Sequence, residues 1–175
     1  MPQPEDSKQR LFFALWPDDE VRQSIARVAK QATEFHQGRV MRTDNLHLTL
    51  AFLGNVNEQQ QECVETMAST VSMTPFNLCL DHVGIFQRPK VLWLGIKEKL
   101  DPLMQLAASL GKGAKDCGIK LDDKVFNPHV TLMRKVNCYQ DMKIESIHWY
   151  VNNFCLVKSV LHPDGVEYRV VKQWP

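Results

Sequence analysis

Charge of one sign is what this 175-residue sequence most clearly lacks: 21 Lys and Arg face 20 Asp and Glu, for a formal charge of +1. A broad basic face that grips long nucleic acid through many phosphates is therefore excluded, and any nucleic-acid site must be local and small. The five cysteines, Cys63, Cys79, Cys117, Cys138 and Cys155, are odd in number and scattered, with no C-x-x-C pair of the kind that binds zinc. They are expected to be small buried hydrophobes in a reduced, cytoplasmic protein. Long apolar runs are also missing. The opening M-P-Q-P-E-D-S-K-Q-R is polar, and Leu11 to Trp16 is too short for a membrane span or a signal core. Residues 1–9 are expected to be a flexible tail, and 10–175 a single domain with no linker or low-complexity tract dividing it.

Hydrophobic residues make up 44% of the chain, enough for one core. Arg10 to Trp16 predicts a buried strand, and Pro17-Asp18-Asp19-Glu20 suits the start of a helix reaching about Phe35. Residues 45–53 predict a second strand, Asn55 to Asn57 a turn, and Glu58 to about Ser72 a helix with Val64, Met67, Ala68 and Val71 on one face. Phe76–Val83 and Val91–Ile96 predict a hairpin around Gln87-Arg88-Pro89-Lys90, followed by a helix over Asp101–Asp116 and a break at Gly118. Residues 129–134 predict another strand. Beyond Ile144 the chain is strand-like, with His162-Pro163-Asp164-Gly165 turning between Phe154–Leu161 and Tyr168–Val171. Three helices among seven or more strands, several joined by hairpins, predict an α+β fold rather than a doubly wound parallel sheet.

One piece of chemistry is written twice: N-L-H-L-T-L at 45–50 and N-P-H-V-T-L at 127–132. With six His and seven Thr in the chain, chance supplies roughly 0.2 H-x-T pairs, and two are present in matching flanks. Side chains alternate across a strand, so Leu46, Leu48 and Leu50 face one way while His47 and Thr49 face the other; Pro128, Val130 and Leu132 oppose His129 and Thr131 in the same manner. A lone H-x-T is usually structural, with the histidine bonded to backbone and the threonine favouring a strand. The doublet points instead to a shared cleft. Two imidazoles, each with an ordinary pKa of about 6.5, can divide the work of base and acid on a phosphodiester. The threonine hydroxyls can hold the nonbridging oxygens. No metal is required, since the two histidines lack a third ligand at metal-binding spacing, and no cofactor is expected.

Paired H-h-T-h motifs in the two halves of a chain this size resemble the 2H phosphoesterase superfamily, and most closely its bacterial RNA 2′,3′-cyclic phosphodiesterase branch, also called 2′-5′ RNA ligase. The likeness runs from R-L-F-F-A-L at 10–15 through both motifs to S-V-L-H-P-D-G-V-E-Y at 159–168. It implies two pseudo-symmetric lobes, each an antiparallel sheet backed by helices, with the motifs facing across a central groove. It implies hydrolysis of RNA 2′,3′-cyclic phosphate ends to 2′-phosphates, and reversible 2′-5′ joining of RNA ends such as tRNA halves. A monomer that binds no membrane is expected. Carried residue by residue, the catalytic positions are His47, Thr49, His129 and Thr131, with His47 protonating O3′ and His129 activating water. Relatives that cleave linear 2′-5′ or 3′-5′ linkages or ADP-ribose cyclic phosphate carry the same motifs, and a non-catalytic module for RNA ends is a further alternative.

The copies diverge five residues after each histidine, at Phe52 and Arg134. An aromatic ring and a guanidinium across the groove can sandwich a nucleobase, and Arg134 can alternatively pair with phosphate. Each also has a plainer role, Phe52 in the core beside Leu50 and Leu53, and Arg134 as a solvated strand end before Lys135. His36, His82, His148 and His162 lie outside the motif and are expected to be structural or on the surface.

Overall fold

The computed structural model describes residues 7–175. In chain order the elements are β1 (Gln9–Leu15), α1 (Asp19–Ala32), β2 (Arg39–Val40), a 3-10 turn (Thr43–Asn45), β3 (Leu48–Val56), α2 (Glu58–Ala68) and β4 (Phe76–Leu80). There follow β5 (His82–Phe86), β6 (Val91–Gly95), α3 (Asp101–Asp116), β7 (His129–Arg134), β8 (Ile147–Val151), β9 (Phe154–His162) and β10 (Gly165–Trp174). The main sheet runs β10-β9-β1-β3-β7-β6-β5 with β2 beside β7, and a two-stranded ribbon pairs β4 with β8. Every recorded pairing is antiparallel, so the fold is α+β, as expected.

Local chemistry explains the helices. The Asp18 side chain accepts from the Val21 N–H at 2.9 Å to cap α1, whose Val21, Ile25, Val28, Ala29 and Ala32 form the buried stripe. Asn57, expected in a turn, instead caps α2: its side chain accepts from Gln60 N–H and Gln60 reaches back to Asn57 N–H, a complete capping box. In α3, Pro102 occupies the first turn, Leu103, Leu106, Leu110 and Ala114 are buried, and Gly118 follows with φ +78.

Two units repeat. β1–α1–β3 and β6–α3–β7 each pair their strands side by side, and the helices exchange places, α1 packing on β7 and β8 and α3 on β3. Each motif strand is thus backed by the helix of the other unit. β3 and β7 meet at a single recorded pair, Leu48 with Val130, both fully buried. The apolar face of the whole sheet packs into one core with the three helices.

Several expectations need correction. The first motif strand begins at Leu48, because residues 43–45 form the 3-10 turn, and it continues through Val56 where a turn was expected. The turn is held by buried Arg22, whose guanidinium donates to the carbonyls of Pro17, Thr43, Asp44 and Leu46, a long-range demand invisible to local pattern. Phe76–Val83 is broken at Asp81 into strands of different sheets. Of the expected tail, residues 1–6 lie outside the described residues and Gln9 already belongs to β1.

The cysteines depart furthest from expectation. Cys63 on α2 and Cys117 after α3 form a disulfide, their Cα atoms 5.8 Å apart across 54 residues of sequence. Helix packing creates that proximity, so spacing could not reveal it. Cys138 is exposed, Cys79 half-buried and only Cys155 buried. Because disulfides are uncommon in a reducing cytosol, the cysteines do not support the cytoplasmic assignment. No helix among the described residues is long and apolar enough to cross a membrane. Closing a loop of that length contributes about 2–4 kcal/mol. The denaturant midpoint is therefore expected to fall on adding a reductant, and by the same amount in a Cys63→Ser/Cys117→Ser variant, with no further response of that variant to reductant.

Candidate active site

Both motifs make the same local hydrogen bond. Nδ1 of His47 lies 2.6 Å from the Asn45 carbonyl oxygen, and Nδ1 of His129 lies 2.7 Å from that of Asn127. A carbonyl can only accept, so Nδ1 carries the hydrogen and Nε2 is left as the lone pair of each neutral ring. Nε2 of His47 sits 3.0 Å from Thr49 Oγ1, which in this tautomer donates to it. The leading Asn of N-x-H therefore orients its histidine through the backbone carbonyl.

Strict alternation cannot put His47 and Phe52, five residues apart, on one face of a strand. A register shift in each copy solves this. Ala14 pairs with Thr49 but Phe13 with Ala51, so Leu50 is an extra residue. Trp93 pairs with Thr131 but Leu92 with Met133, so Leu132 is extra in the same place. Beyond these bulges Phe12 pairs with Phe52 and Val91 with Arg134, returning both residues to the histidine face. The Leu48–Val130 pair lies midway between His and Thr of each motif. Continuing that antiparallel register sets His47 toward Thr131 and His129 toward Thr49, so all four candidate side chains share one groove.

A model of the 2′-5′ RNA ligase superfamily matches residues 15–162, which include both motifs and the strands around them. The chain belongs to that superfamily. It is similar to the RNA 2′,3′-cyclic phosphodiesterases of Escherichia coli K12, 34% identical over 95% of this chain and 96% of that one, and of Archaeoglobus fulgidus, 32% identical over 91% and 96%. A crystal structure of E. coli LigT complexed with 3′-AMP matches with a TM-score of 0.85 at 32% identity, covering 95% of this chain and 97% of that one. A further match at 13% identity, the MHV ns2 PDE domain with a TM-score of 0.53, shares the fold alone.

Within this superfamily fold the two histidines sit in unequal surroundings. Trp16 stacks on the His47 ring with centroids 5.6 Å apart, Phe12 lies at 4.8 Å, and Tyr168 meets it edge-on at 5.1 Å. The Arg22 guanidinium lies over the Trp16 ring, 5.0 Å from its centre. His129 has Phe86 edge-on at 5.0 Å and Trp93 at 6.3 Å. Glycines make room for that tryptophan, since a Cβ at Gly84 or Gly95 would collide with its indole. Burial pushes the His47 pKa down to about 4, opposed by its bond to Asn45 and assisted by the charges of His129, Arg134 and Arg22. Burial also lowers His129, again against its backbone bond and with Arg134.

Local pattern could not single out Phe12, Trp16, Trp93 and Tyr168, which look like core aromatics. Asn45 carried a usable signal, as the shared first residue of the motif. Its buried side chain donates to Val166 O at 2.7 Å and accepts from Tyr168 N–H at 3.3 Å, tying β10 to the histidine. Phe52 is 48% exposed rather than in the core, and the Arg10 guanidinium lies 4.9 Å from its ring centre. Arg134 is exposed on the same face. Of the other histidines, His36 is buried between Ala32 O and Gln140 N–H, His162 pairs with Glu167, and His82 stands on the surface beside Trp93. Among the described residues, no group of three or more His, Cys, Asp or Glu could hold a metal ion.

A folded-state pKa of about 4 against about 6.5 unfolded means the unfolded chain binds more protons between those values. Stability is thus full above pH 6.5 and is lost as pH falls toward 4. The melting temperature is expected to drop across that window, and less steeply in His47→Gln; equal slopes in thermal scans from pH 7 to 4 would contradict this.

Proposed function

We propose that the chain hydrolyses RNA 2′,3′-cyclic phosphate ends to 2′-phosphates, using His47 and His129 as acid and base without a metal. The observation that carries this is the meeting of two identical His-x-Thr units across the Leu48–Val130 pair, each with Nε2 left as the reactive nitrogen. The 34% identity to the E. coli RNA 2′,3′-cyclic phosphodiesterase supports the substrate class. His129, the less enclosed ring, removes a proton from water as its oxygen bonds to phosphorus; the bond from phosphorus to O3′ breaks, and protonated His47 delivers the proton to O3′. Thr49 and Thr131 donate to the nonbridging oxygens as charge grows there. Because the antiparallel Leu48–Val130 register carries Phe52 and Arg134 toward opposite ends of the groove, the expected sandwich of one base between them is replaced by separate contacts: Phe52 offers its ring to a base at one end, and Arg134 pairs with phosphate at the other. With the 5′-hydroxyl of a second RNA in place of water, the same steps form a 2′-5′ linkage, for which tRNA halves are suitable ends. We assign the chain to a monomeric state and, on the polar opening and short apolar runs of its sequence, to the cytoplasm.

Because burial leaves His47 uncharged in the free protein at pH 7, it must gain its proton as the anionic phosphate arrives. kcat/KM for a 2′,3′-cyclic nucleotide, whose phosphodiester stays ionised throughout, is therefore expected to peak below pH 6.5 and decline above it; a monotonic rise from pH 4 to 9 would contradict the scheme. His47→Ala or His129→Ala is expected to lower kcat on the order of 10²-fold or more, with EDTA without effect and the 2′-phosphate as sole product by chromatography. Near-normal turnover in either variant would overturn the assignment. Phe52→Ala and Arg134→Ala are expected to raise KM more than they lower kcat; unchanged KM in both would remove these two substrate contacts.

A further inference from the structure

β2 is only two residues long, yet it sets a second arginine beside the first. Where β3 leaves β7 after Leu48–Val130, the segment before the first motif takes over that edge. Met41 N–H donates to Leu132 O at 2.9 Å, Val40 pairs with Met133, and Arg39 pairs with Arg134. Residues directly opposite in an antiparallel pair project from the same face. Arg39 therefore shares the face of Arg134, which is the histidine face.

Nothing in folding favours this juxtaposition. Like charges directly opposite are destabilising, and neither arginine forms an ion pair among the described residues. The backbone is nevertheless built to enforce it: a Cβ at Gly38 would come 2.8 Å from Arg134 O and 3.3 Å from Lys135 O. Only glycine lets the chain lie so close. The repeat does not copy the feature, for the residue eight positions before His129 is Leu121, where Arg39 stands eight before His47. The charge pair therefore marks one end of an otherwise symmetric groove. At ~3.3 Å per residue, Arg134 stands roughly 10 Å along β7 from Thr131, beyond the place of the reacting phosphate.

We propose that Arg39, beside Arg134, binds an internucleotide phosphate of the RNA chain upstream of the cyclic end, making the protein prefer oligoribonucleotides over cyclic mononucleotides. A planar guanidinium fork suits a phosphodiester, and the near-zero net charge elsewhere means that one or two such contacts dominate the attraction to RNA. Arg39 touches no reacting atom, so its contribution lies in KM rather than kcat. The inference rests on the groove being a cyclic-phosphate site.

The test compares kcat/KM for a short oligoribonucleotide ending in a 2′,3′-cyclic phosphate with that for the corresponding 2′,3′-cyclic mononucleotide. Arg39→Gln is expected to lower the ratio of the two about tenfold, through KM, and to flatten the salt dependence for the oligonucleotide by about 0.7 in log–log slope, the value for one single-stranded phosphate contact. Arg39→Lys should recover part of the ratio, and Lys30→Gln, on the exposed side of α1, should leave it at the wild-type value. An unaltered ratio in Arg39→Gln, or a wild-type protein that does not prefer the oligonucleotide, overturns the inference while leaving the phosphodiesterase assignment standing. Hydrolysis of neither substrate by the wild-type protein overturns both.

Discussion

Leu48 and Val130 join the two halves of the sheet at a single recorded backbone pair between β3 and β7. Both side chains are fully buried, each contributing about 1.5–3 kcal/mol of apolar burial. The position matters more than the magnitude. Each lies between the histidine and threonine of its own motif, so one contact fixes the relative height of four polar side chains on the opposite face. Beyond it the strands part, and the groove follows from that parting. The exchange of α1 and α3 onto each other's motif strands clamps the contact from behind.

Duplication and divergence divide the work in this groove. What the copies share is the chemistry: the bond from Nδ1 to the carbonyl two residues earlier, the hydroxyl two residues later, and the bulge one residue after that. What they do not share is the wall. His47 is enclosed by Phe12, Trp16 and Tyr168 and tied through Asn45 to β10, whereas His129 meets Phe86 and Trp93 and is more open. Desolvation acts more strongly on the enclosed ring, which is why two identical motifs do not have identical proton affinities. Phe52 with Arg10 at one end and Arg134 with Arg39 at the other give the groove a direction, which a polar RNA chain requires.

The elements that local chemistry specifies were legible. α3 spans the expected residues, β7 begins at His129 as expected, and the apolar stripe of α3 follows ordinary helix periodicity. The errors fell where distant residues decide. The 3-10 turn before His47 exists because Arg22, some twenty residues earlier, gathers its carbonyls. β4 and β5 separate at Asp81 because one pairs with β8 and the other with β6. Cys63 and Cys117 meet because α2 and α3 are neighbours.

By itself the sequence determined the strand character of both motifs, the common face of His and Thr within each, and the reaction they suit, because alternation and imidazole chemistry are properties of a few adjacent residues. It also marked Phe52 and Arg134 as the point of divergence. Tertiary structure alone decided that these two face the groove, since an odd spacing reaches the same face only through a bulge, and a bulge is defined by the partner strand. It likewise decided the enclosure of His47 and the pairing of Arg39 with Arg134. Both depend on which backbone lies alongside, which no run of neighbouring residues encodes.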